Sequence, residues 1–431
     1  MRIKEIYINN YRGFHDVHLP LQDVNFLVGE NSSGKTSLLK LLDLLTSPNL
    51  WFNGQFRNEN VDFSYFGDLT DSKNGSRTVI CLLHEDEKKS TDASYMFTRL
   101  VLQSGKNNQT VISSLGVTRG TKSIEIRKKL NGNGISYKIN NKTSFTKNDF
   151  KKWCQLEIDA KDFKEYDGRA ESYVLNSPYF LISTISRHVS KEGDRLKIPE
   201  FFNTYSPTAW IAPIRAKPQQ TYDGNIYDYS PEGTHTPYNL RDIYDRSKTK
   251  DSASIISALE KFGKDSGLFD SVKSRRYAAS GNAPFAIEVV RGAETRYITD
   301  VGYGVSQALP IIVSILSNSY ETQFRIQQPE VHLHPRAQAS LGSLFYDICE
   351  SRGSGFIVET HSDFTIDRFR QSLASSKKKK KPTAQAIFFE HSNKGNSAYK
   401  IPINPNGTYS ENQPDSFRRF FLNEEMNNIL M

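Results

Sequence analysis

The sequence predicts an α/β protein built on a phosphate-binding loop, with an antiparallel β subdomain and a mainly helical insertion. Three observations carry this expectation. The apolar run Asn25-Phe26-Leu27-Val28 leads into Gly29-Glu30-Asn31-Ser32-Ser33-Gly34-Lys35-Thr36, and Ser37 to Leu45 follows as a leucine-rich helix stopped near Pro48. Strand, glycine loop and helix are the context that this motif requires. From Arg77 to Asn140, β-type runs such as Thr78 to Leu83 and Thr110-Val111-Ile112 are broken by Gly, Asn and Ser turns, as in an antiparallel sheet. Strands and helices then recur as a second half of the core. Strands are expected at Trp210 to Ile214, Phe285 to Val290, Thr295 to Ile298, Phe324 to Ile326 and Gly355 to Val358, with helices at Ser252 to Phe262, Gln307 to Leu316 and Arg336 to Cys349.

The bulk numbers set the class. A chain of 431 residues has room for a sizeable core, and 37% hydrophobic, 24% charged and 12% aromatic residues fit a folded globular protein. No apolar run approaches the roughly 20 residues of a membrane span, and Met1-Arg2-Ile3-Lys4-Glu5-Ile6 lacks the apolar stretch of a signal peptide, so a cytoplasmic protein is expected. Cys81, Cys154 and Cys349 are widely spaced and odd in number, which argues for buried thiols rather than a disulfide framework. The net charge of +8 suits a phosphate-rich partner, although part of it lies in the run Lys377 to Lys381, which reads as a solvated loop tip or a DNA-contacting loop.

The glycine loop is the strongest signal. A chance match to its pattern in a chain of this length is on the order of a few per cent before flanking elements are required. Gly29 and Gly34 allow backbone angles that turn N–H groups inward on phosphates, Lys35 brings a positive charge to the β- and γ-phosphates, and Thr36 offers a hydroxyl to Mg²⁺. Asn31, Ser32, Ser33, Gly34, Lys35, Thr36 and Ser37 form the candidate ATP-binding set, aided by the positive end of the helix dipole.

Three later clusters stand beside it. Asp300-Val301-Gly302-Tyr303-Gly304-Val305-Ser306-Gln307-Ala308-Leu309 reads either as an ordinary turn with Ser306 as N-cap or as a second anion cradle. In Gln327-Gln328-Pro329-Glu330-Val331-His332-Leu333-His334-Pro335, two imidazoles two residues apart with no third ligand make a poor zinc site. Phe356-Ile357-Val358-Glu359-Thr360-His361-Ser362-Asp363 is a strand ending in a polar cluster.

Taken in this order, the motifs resemble the RecF/SMC-like branch of ABC-type ATPase heads, related to the ATPase head of OLD-family nucleases. Tyr11-Arg12-Gly13-Phe14 and Pro213-Ile214-Arg215-Ala216 with Pro231-Glu232-Gly233 look like the same branch. The resemblance implies a split two-lobe head that pairs with a second head around ATP and Mg²⁺. It implies further that Gly302, Gly304 and Ser306 reach the γ-phosphate held by Lys35 of a neighbouring subunit, that His361 senses the γ-phosphate in its own subunit, and that Arg12 lies near the nucleotide. Lobe I is then expected at 1–75, the β subdomain at 76–144, a helical insertion and possible assembly region at 145–205, and the rest of the head at 206–431.

One departure matters. Gln327 and Gln328 stand where the branch carries Walker B acids, and an amide is a weaker Mg²⁺ ligand than a carboxylate and no general base. Slow hydrolysis is expected, with Gln327 as a weak metal ligand and Glu330 or His361 as other catalytic candidates. Either the chain is an ATP-sensing variant or one glutamine replaces a carboxylate to trap ATP. About 70 residues follow His361, too few for a further large catalytic domain. Stand-alone ATPases of this kind occur in bacterial anti-phage systems of the Septu, PARIS and retron-linked types, so the resemblance implies an oligomeric scaffold and sensor controlling a separate nuclease or toxin effector. The rival expectations are a repair or recombination ATPase acting directly on DNA and, less fitting, a transporter motor.

Overall fold

The computed structural model describes residues 2–70, 77–85, 95–129, 134–140, 145–155, 162–167, 176–190, 207–223, 228–278, 283–393, 395–411 and 413–419. Its strands in chain order are β1 (Arg2–Asn9), β2 (Val17–Pro20), β3 (Val24–Gly29), β4 (Arg77–Glu85), β5 (Tyr95–Ser104), β6 (Thr110–Arg119), β7 (Lys122–Lys128), β8 (Ile135–Asn140), β9 (Lys164–Glu165), β10 (Thr208–Ile211), β11 (Ser271–Arg276), β12 (Phe285–Arg291), β13 (Glu294–Tyr297), β14 (Gln323–Gln327), β15 (Gly355–Glu359), β16 (Ala384–Ser392) and β17 (Gly395–Ile403). The α-helices are α1 (Lys35–Thr46), α2 (Pro48–Asn53), α3 (Phe150–Gln155), α4 (Pro178–Ser190), α5 (Thr236–Asp245), α6 (Lys250–Ser266), α7 (Tyr303–Ser317), α8 (Pro335–Arg352) and α9 (Asp363–Ser375). The class is mixed α/β, with an antiparallel sheet and helices. The chain divides into two compact units, one of Met1–Leu21, Glu30–Ser206 and Phe389–Lys400, the other of Gln22–Gly29, Pro207–Phe388 and Ile401–Met431.

The first unit holds an eight-stranded sheet in the order β2-β1-β4-β5-β6-β7-β8-β9. All of its paired strands run antiparallel, and from β4 to β9 each strand pairs with the next in the chain. Tyr7, Cys81, Leu83 and Phe97 form an apolar patch on the sheet, covered by Phe150, Trp153 and Cys154 of α3. All three cysteines of the chain are buried thiols, and burial pushes the Cys154 thiol up from its ordinary range. A buried charge is also paired here. Arg99, Gly116 and Glu125 stand in one row across β5, β6 and β7. The missing side chain at Gly116 opens the gap through which Arg99 Nη2 donates to Glu125 at 2.7 Å, and the guanidinium also lies 4.5 Å from the Trp153 ring. In the stretch expected to be a helical insertion, the described residues form α3, the short β9 and α4, while 156–161, 168–175 and 191–206 lie outside the described residues.

The second unit is built on a six-stranded sheet, β10-β14-β15-β3-β16-β17, and the division between units falls within its last two strands. The first four strands are parallel, with Ile211 beside Ile326, Gln327 beside Glu359 and Glu359 beside Leu27. Parallel strands covered by helices must be apolar on both faces, and β3 is buried at every position. Phe324 and Phe356 stack with ring centroids 5.2 Å apart in a core shared with α7, α8 and α9. A separate antiparallel sheet, β11-β12-β13, belongs to the same core.

Several boundaries differ from the sequence expectation. Helix α7 begins at Tyr303 with Gly302 as N-cap, so Ser306 is not the cap but a first-turn residue whose Oγ donates to the Tyr303 carbonyl at 2.8 Å. The expected strand at 210–214 ends at Ile211, just before Pro213, which lacks an N–H to continue the ladder. Pro48 does not merely stop α1; it opens α2, with Ser47 as cap. Of the lysine run, Lys378 pairs with Glu350, and Lys381 donates to the carbonyls of Leu373 and Pro405 at 2.8 and 2.9 Å.

Candidate functional site

In the first unit the glycine loop is shaped by its own backbone and by an earlier turn. Gly34 sits at φ +103 and Ser32 at φ +62, and α1 takes no side-chain cap at its N-terminus. That leaves an uncapped positive helix end beside the loop, which is what an anion needs. A side chain at Gly34 would meet the Phe14 ring at 2.4 Å, so only glycine fits. Lys35, 4% exposed, donates from Nζ to the Glu30 carbonyl at 2.5 Å, and Ser33 Oγ donates to the same oxygen at 2.7 Å. Asn31 and Ser32 are exposed, whereas Thr36 and Ser37 are half-buried.

Tyr11 to Phe14 form the turn behind this loop. Tyr11 and Phe14 exchange backbone bonds at 3.1 and 2.7 Å, and the Tyr11 hydroxyl donates to the Ser37 carbonyl at 2.8 Å. Arg12, at φ +44, donates from Nε to the Asp68 carbonyl at 2.7 Å with its guanidinium 4.8 Å from the Phe63 ring. Arg12 is thus tied to the loop's support within the first unit.

The second unit collects the other candidates at the ends of β14 and β15. Gln327 donates its amide N–H to the Glu359 carboxylate at 3.1 Å. Gln328, at φ +41, donates its backbone N–H to the Glu359 carbonyl at 2.7 Å. Two residues on, the Glu330 carboxylate accepts from Thr360 Oγ1 at 2.7 Å and from the His361 N–H at 2.8 Å. Gln327, Gln328, Glu330 and His361 therefore belong to one hydrogen-bonded group, with the His361 side chain exposed. Ser362 caps α9 by accepting from Thr365 N–H at 3.1 Å and also donates to Gln338 at 2.7 Å.

The start of α7 packs on the turn after β14. The Tyr303 ring meets the His332 ring edge-on at 4.9 Å, and a Cβ at Gly304 would lie 3.1 Å from the His332 carbonyl. Gly302 faces open space, whereas Ser306 is 5% exposed. Both histidines of the Leu-His-Pro segment have structural work: His332 supports Tyr303, and His334 caps α8.

Two residues with no assigned role in the sequence reading turn out to be central. Glu359, 5% exposed, puts a carboxylate beside the two amides, and the only signal for it was an acid at the end of a short apolar strand. Arg215, 2% exposed, donates from Nη2 to the Gln327 and Gln328 carbonyls at 3.4 and 3.1 Å. Burial pushes its pKa down to about 10, against the opposing pull of the Glu330 charge, so it stays protonated at neutral pH.

The residues present fit ATP and Mg²⁺ in kind. The first unit by itself offers a buried lysine, a hydroxyl at Thr36 and a helix N-terminus; in the second unit Gln327 gives its amide N–H to Glu359, and an amide oxygen is a donor of the kind that Mg²⁺ accepts. The profile of the AAA ATPase domain family matches residues 1–366, and the chain belongs to that family. No curated protein matches it by sequence. Among solved structures it is similar to an SMC head bound to the C-winged helix domain of ScpA, with TM-score 0.44, 13% identity and coverage of 93% of this chain and 98% of that one. It is also similar to the SMC head domain from Thermotoga maritima, with TM-score 0.41, 10% identity and coverage of 93% and 99%. A third is an SMC head with an extended coiled coil bound to the C-terminal domain of ScpA, from Pyrococcus furiosus, with TM-score 0.42, 12% identity and 99% of each chain. Among the described residues, no helix is long and apolar enough to cross a membrane.

Proposed function

We propose that this AAA ATPase-family chain binds ATP with Mg²⁺, hydrolyses it slowly, and acts as the oligomeric scaffold and sensor of a bacterial anti-phage complex that controls a separate nuclease or toxin effector. The observation that carries the slow, binding-dominated chemistry is the bond between Gln327 and Glu359. An amide occupies the strand end, and the nearest carboxylate is already engaged by it. The other carboxylate of the group, Glu330, is held in place by two hydrogen bonds, from Thr360 and from the His361 N–H. Capture of the phosphates falls to Lys35, Thr36 and the N–H groups at the start of α1. Gly302, Gly304 and Ser306 serve assembly, with Gly302 and the exposed Tyr303 as the accessible part of that segment. Support for the defence role is the resemblance of the motifs from Tyr11 to Ser362 to those of stand-alone ATPases that occur in bacterial anti-phage systems.

The experiment is sedimentation of the chain with and without ATP and Mg²⁺, combined with titration of nucleotide and co-purification with the products of neighbouring genes. Micromolar or tighter ATP binding, ATP-dependent self-association and a co-purifying nuclease or toxin are expected. Salt-sensitive binding of duplex DNA by the isolated chain, with no such partner, would replace the scaffold reading with direct action on DNA.

A further inference from the structure

Arg215 lies in a segment to which nucleotide binding assigns no task. The segment leaves β10 and is tied down at two points, where Ala212 N–H donates to the Pro231 carbonyl and Ala216 N–H to the Glu232 carbonyl, each at 2.9 Å. Between these ties Arg215 turns inward and is almost wholly buried. Its Nη2 reaches the carbonyls of Gln327 and Gln328, while Nε and Nη1 are buried with no acceptor among the described residues. Burying guanidinium donors without acceptors is unfavourable, so the placement needs a reason.

The contact to Gln328 supplies one. Gln328 has φ +41, a left-handed conformation that is costly for a residue with a side chain and so calls for contacts that hold it. Here the Glu359 carbonyl takes its N–H at 2.7 Å, and its own carbonyl accepts from Arg215 at 3.1 Å and from Val331 N–H at 3.3 Å. The turn that starts at this peptide places Glu330 against Thr360 and His361. An ordinary φ at Gln328 would send the chain elsewhere and take Glu330 off both partners.

We propose that Arg215 is a positioning residue for the turn from Gln327 to Glu330, holding the left-handed Gln328 peptide and, through it, the Glu330 carboxylate in the arrangement used for chemistry on bound nucleotide. Its geometry is independent of the nucleotide reading, whereas its consequence for hydrolysis rests on that reading. Lysine would keep the charge but lose the rigid guanidinium plane that holds Nη2 against both carbonyls.

A double-substitution cycle on the full chain tests this. Amide hydrogen exchange across residues 328–333 is followed in the parent, Arg215→Lys, Arg215→Ala, Gln328→Gly and the combined Arg215→Ala/Gln328→Gly protein. Glycine adopts φ +41 without strain, so the latch should matter less beside it. Arg215→Ala is expected to speed exchange by about tenfold or more in the parent background and by less than about threefold in the Gln328→Gly background. Equal acceleration in both backgrounds overturns the latch, because an arginine that only fills space is indifferent to the conformation of residue 328. Single-turnover phosphate release should fall about tenfold to a hundredfold in Arg215→Ala, with ATP affinity changed by less than about twofold. A latch seen in exchange with an unaltered release rate overturns the link to chemistry. A parent that binds no ATP sinks the nucleotide reading, and the exchange cycle still decides the latch. Should Arg215→Ala fail to fold, Arg215→Lys in both backgrounds carries the same comparison.

Discussion

Gln327 and Glu359 face each other across the parallel register of β14 and β15, joined by an amide-to-carboxylate hydrogen bond of 3.1 Å. Replacing Gln327 by Glu would set two carboxylates a hydrogen bond apart, and such a pair shares one proton over part of the pH range. Steady-state phosphate release should rise in Gln327→Glu by up to the range of about 10² to 10⁴ expected of a positioned base. The gain should grow with pH, as the shared proton is lost. A parent chain that already turns over several ATP per second, with no acceleration in Gln327→Glu or Gln328→Glu, would move the chemistry to Glu330 or His361.

Nucleotide capture should depend on Lys35. The side chain is buried and bonded to the Glu30 carbonyl, so Lys35→Ala removes a positive charge from the loop while the apolar core of α1 is untouched. Calorimetric titration with ATP and Mg²⁺ should show affinity reduced by at least about a hundredfold, equivalent to about 2.7 kcal/mol. Unchanged affinity in a folded variant would refute the assignment of the loop.

Assembly is best probed at Gly302 rather than at the buried Ser306. A Cβ at Gly302 meets nothing within 4 Å, and its φ of −55° is ordinary for any residue. Gly302→Trp should therefore melt within a few degrees of the parent, since surface changes usually alter stability by about 0.5 kcal/mol or less. ATP-dependent self-association in the ultracentrifuge should be lost. Retained association would rule out an interface through this segment.

Acid should destabilise the first unit through His84, whose burial in β4 pushes its pKa from 6.5 down to about 3. Because the folded pKa is depressed, the unfolded chain takes up the proton first as pH falls. Stability present above about pH 6.5 is then lost progressively toward pH 3, by about 2 kcal/mol at pH 5. Urea unfolding at pH 7.5 and pH 5 should show this loss in the parent and a smaller one in His84→Leu. Parallel losses in the two proteins would exclude His84 as the cause.

Local chemistry was legible in the sequence; contacts across the sheet were not. Gly34 and Lys35 announced their loop because phosphate binding constrains neighbouring residues, and the β-type runs after Arg77 announced an antiparallel sheet because its pairing is between successive strands. Glu359 could not be tied to Gln327 from sequence, since the two are 32 residues apart and meet only through parallel register. Arg215 was hidden in the same way, 113 residues from the Gln328 carbonyl it holds. The start of α7 was misplaced for a different reason. Gly302 and Gly304 read as loop residues, whereas Gly304 is helical and allows the helix backbone to approach the His332 carbonyl.

The support beneath Gly34 sets an order of events during synthesis. Phe14 lies against Gly34, and the turn containing Phe14 is fastened by residue 396: Asn396 Nδ2 donates to the Arg12 carbonyl at 2.9 Å, and Asn396 N–H donates to the Gly13 carbonyl at 2.7 Å. The glycine loop and the last piece of its scaffold are more than 350 residues apart in the chain. A nascent chain still short of Asn396 carries the complete motif on an unfinished support, so the loop reaches its final form only after the segment bearing Asn396 has been made.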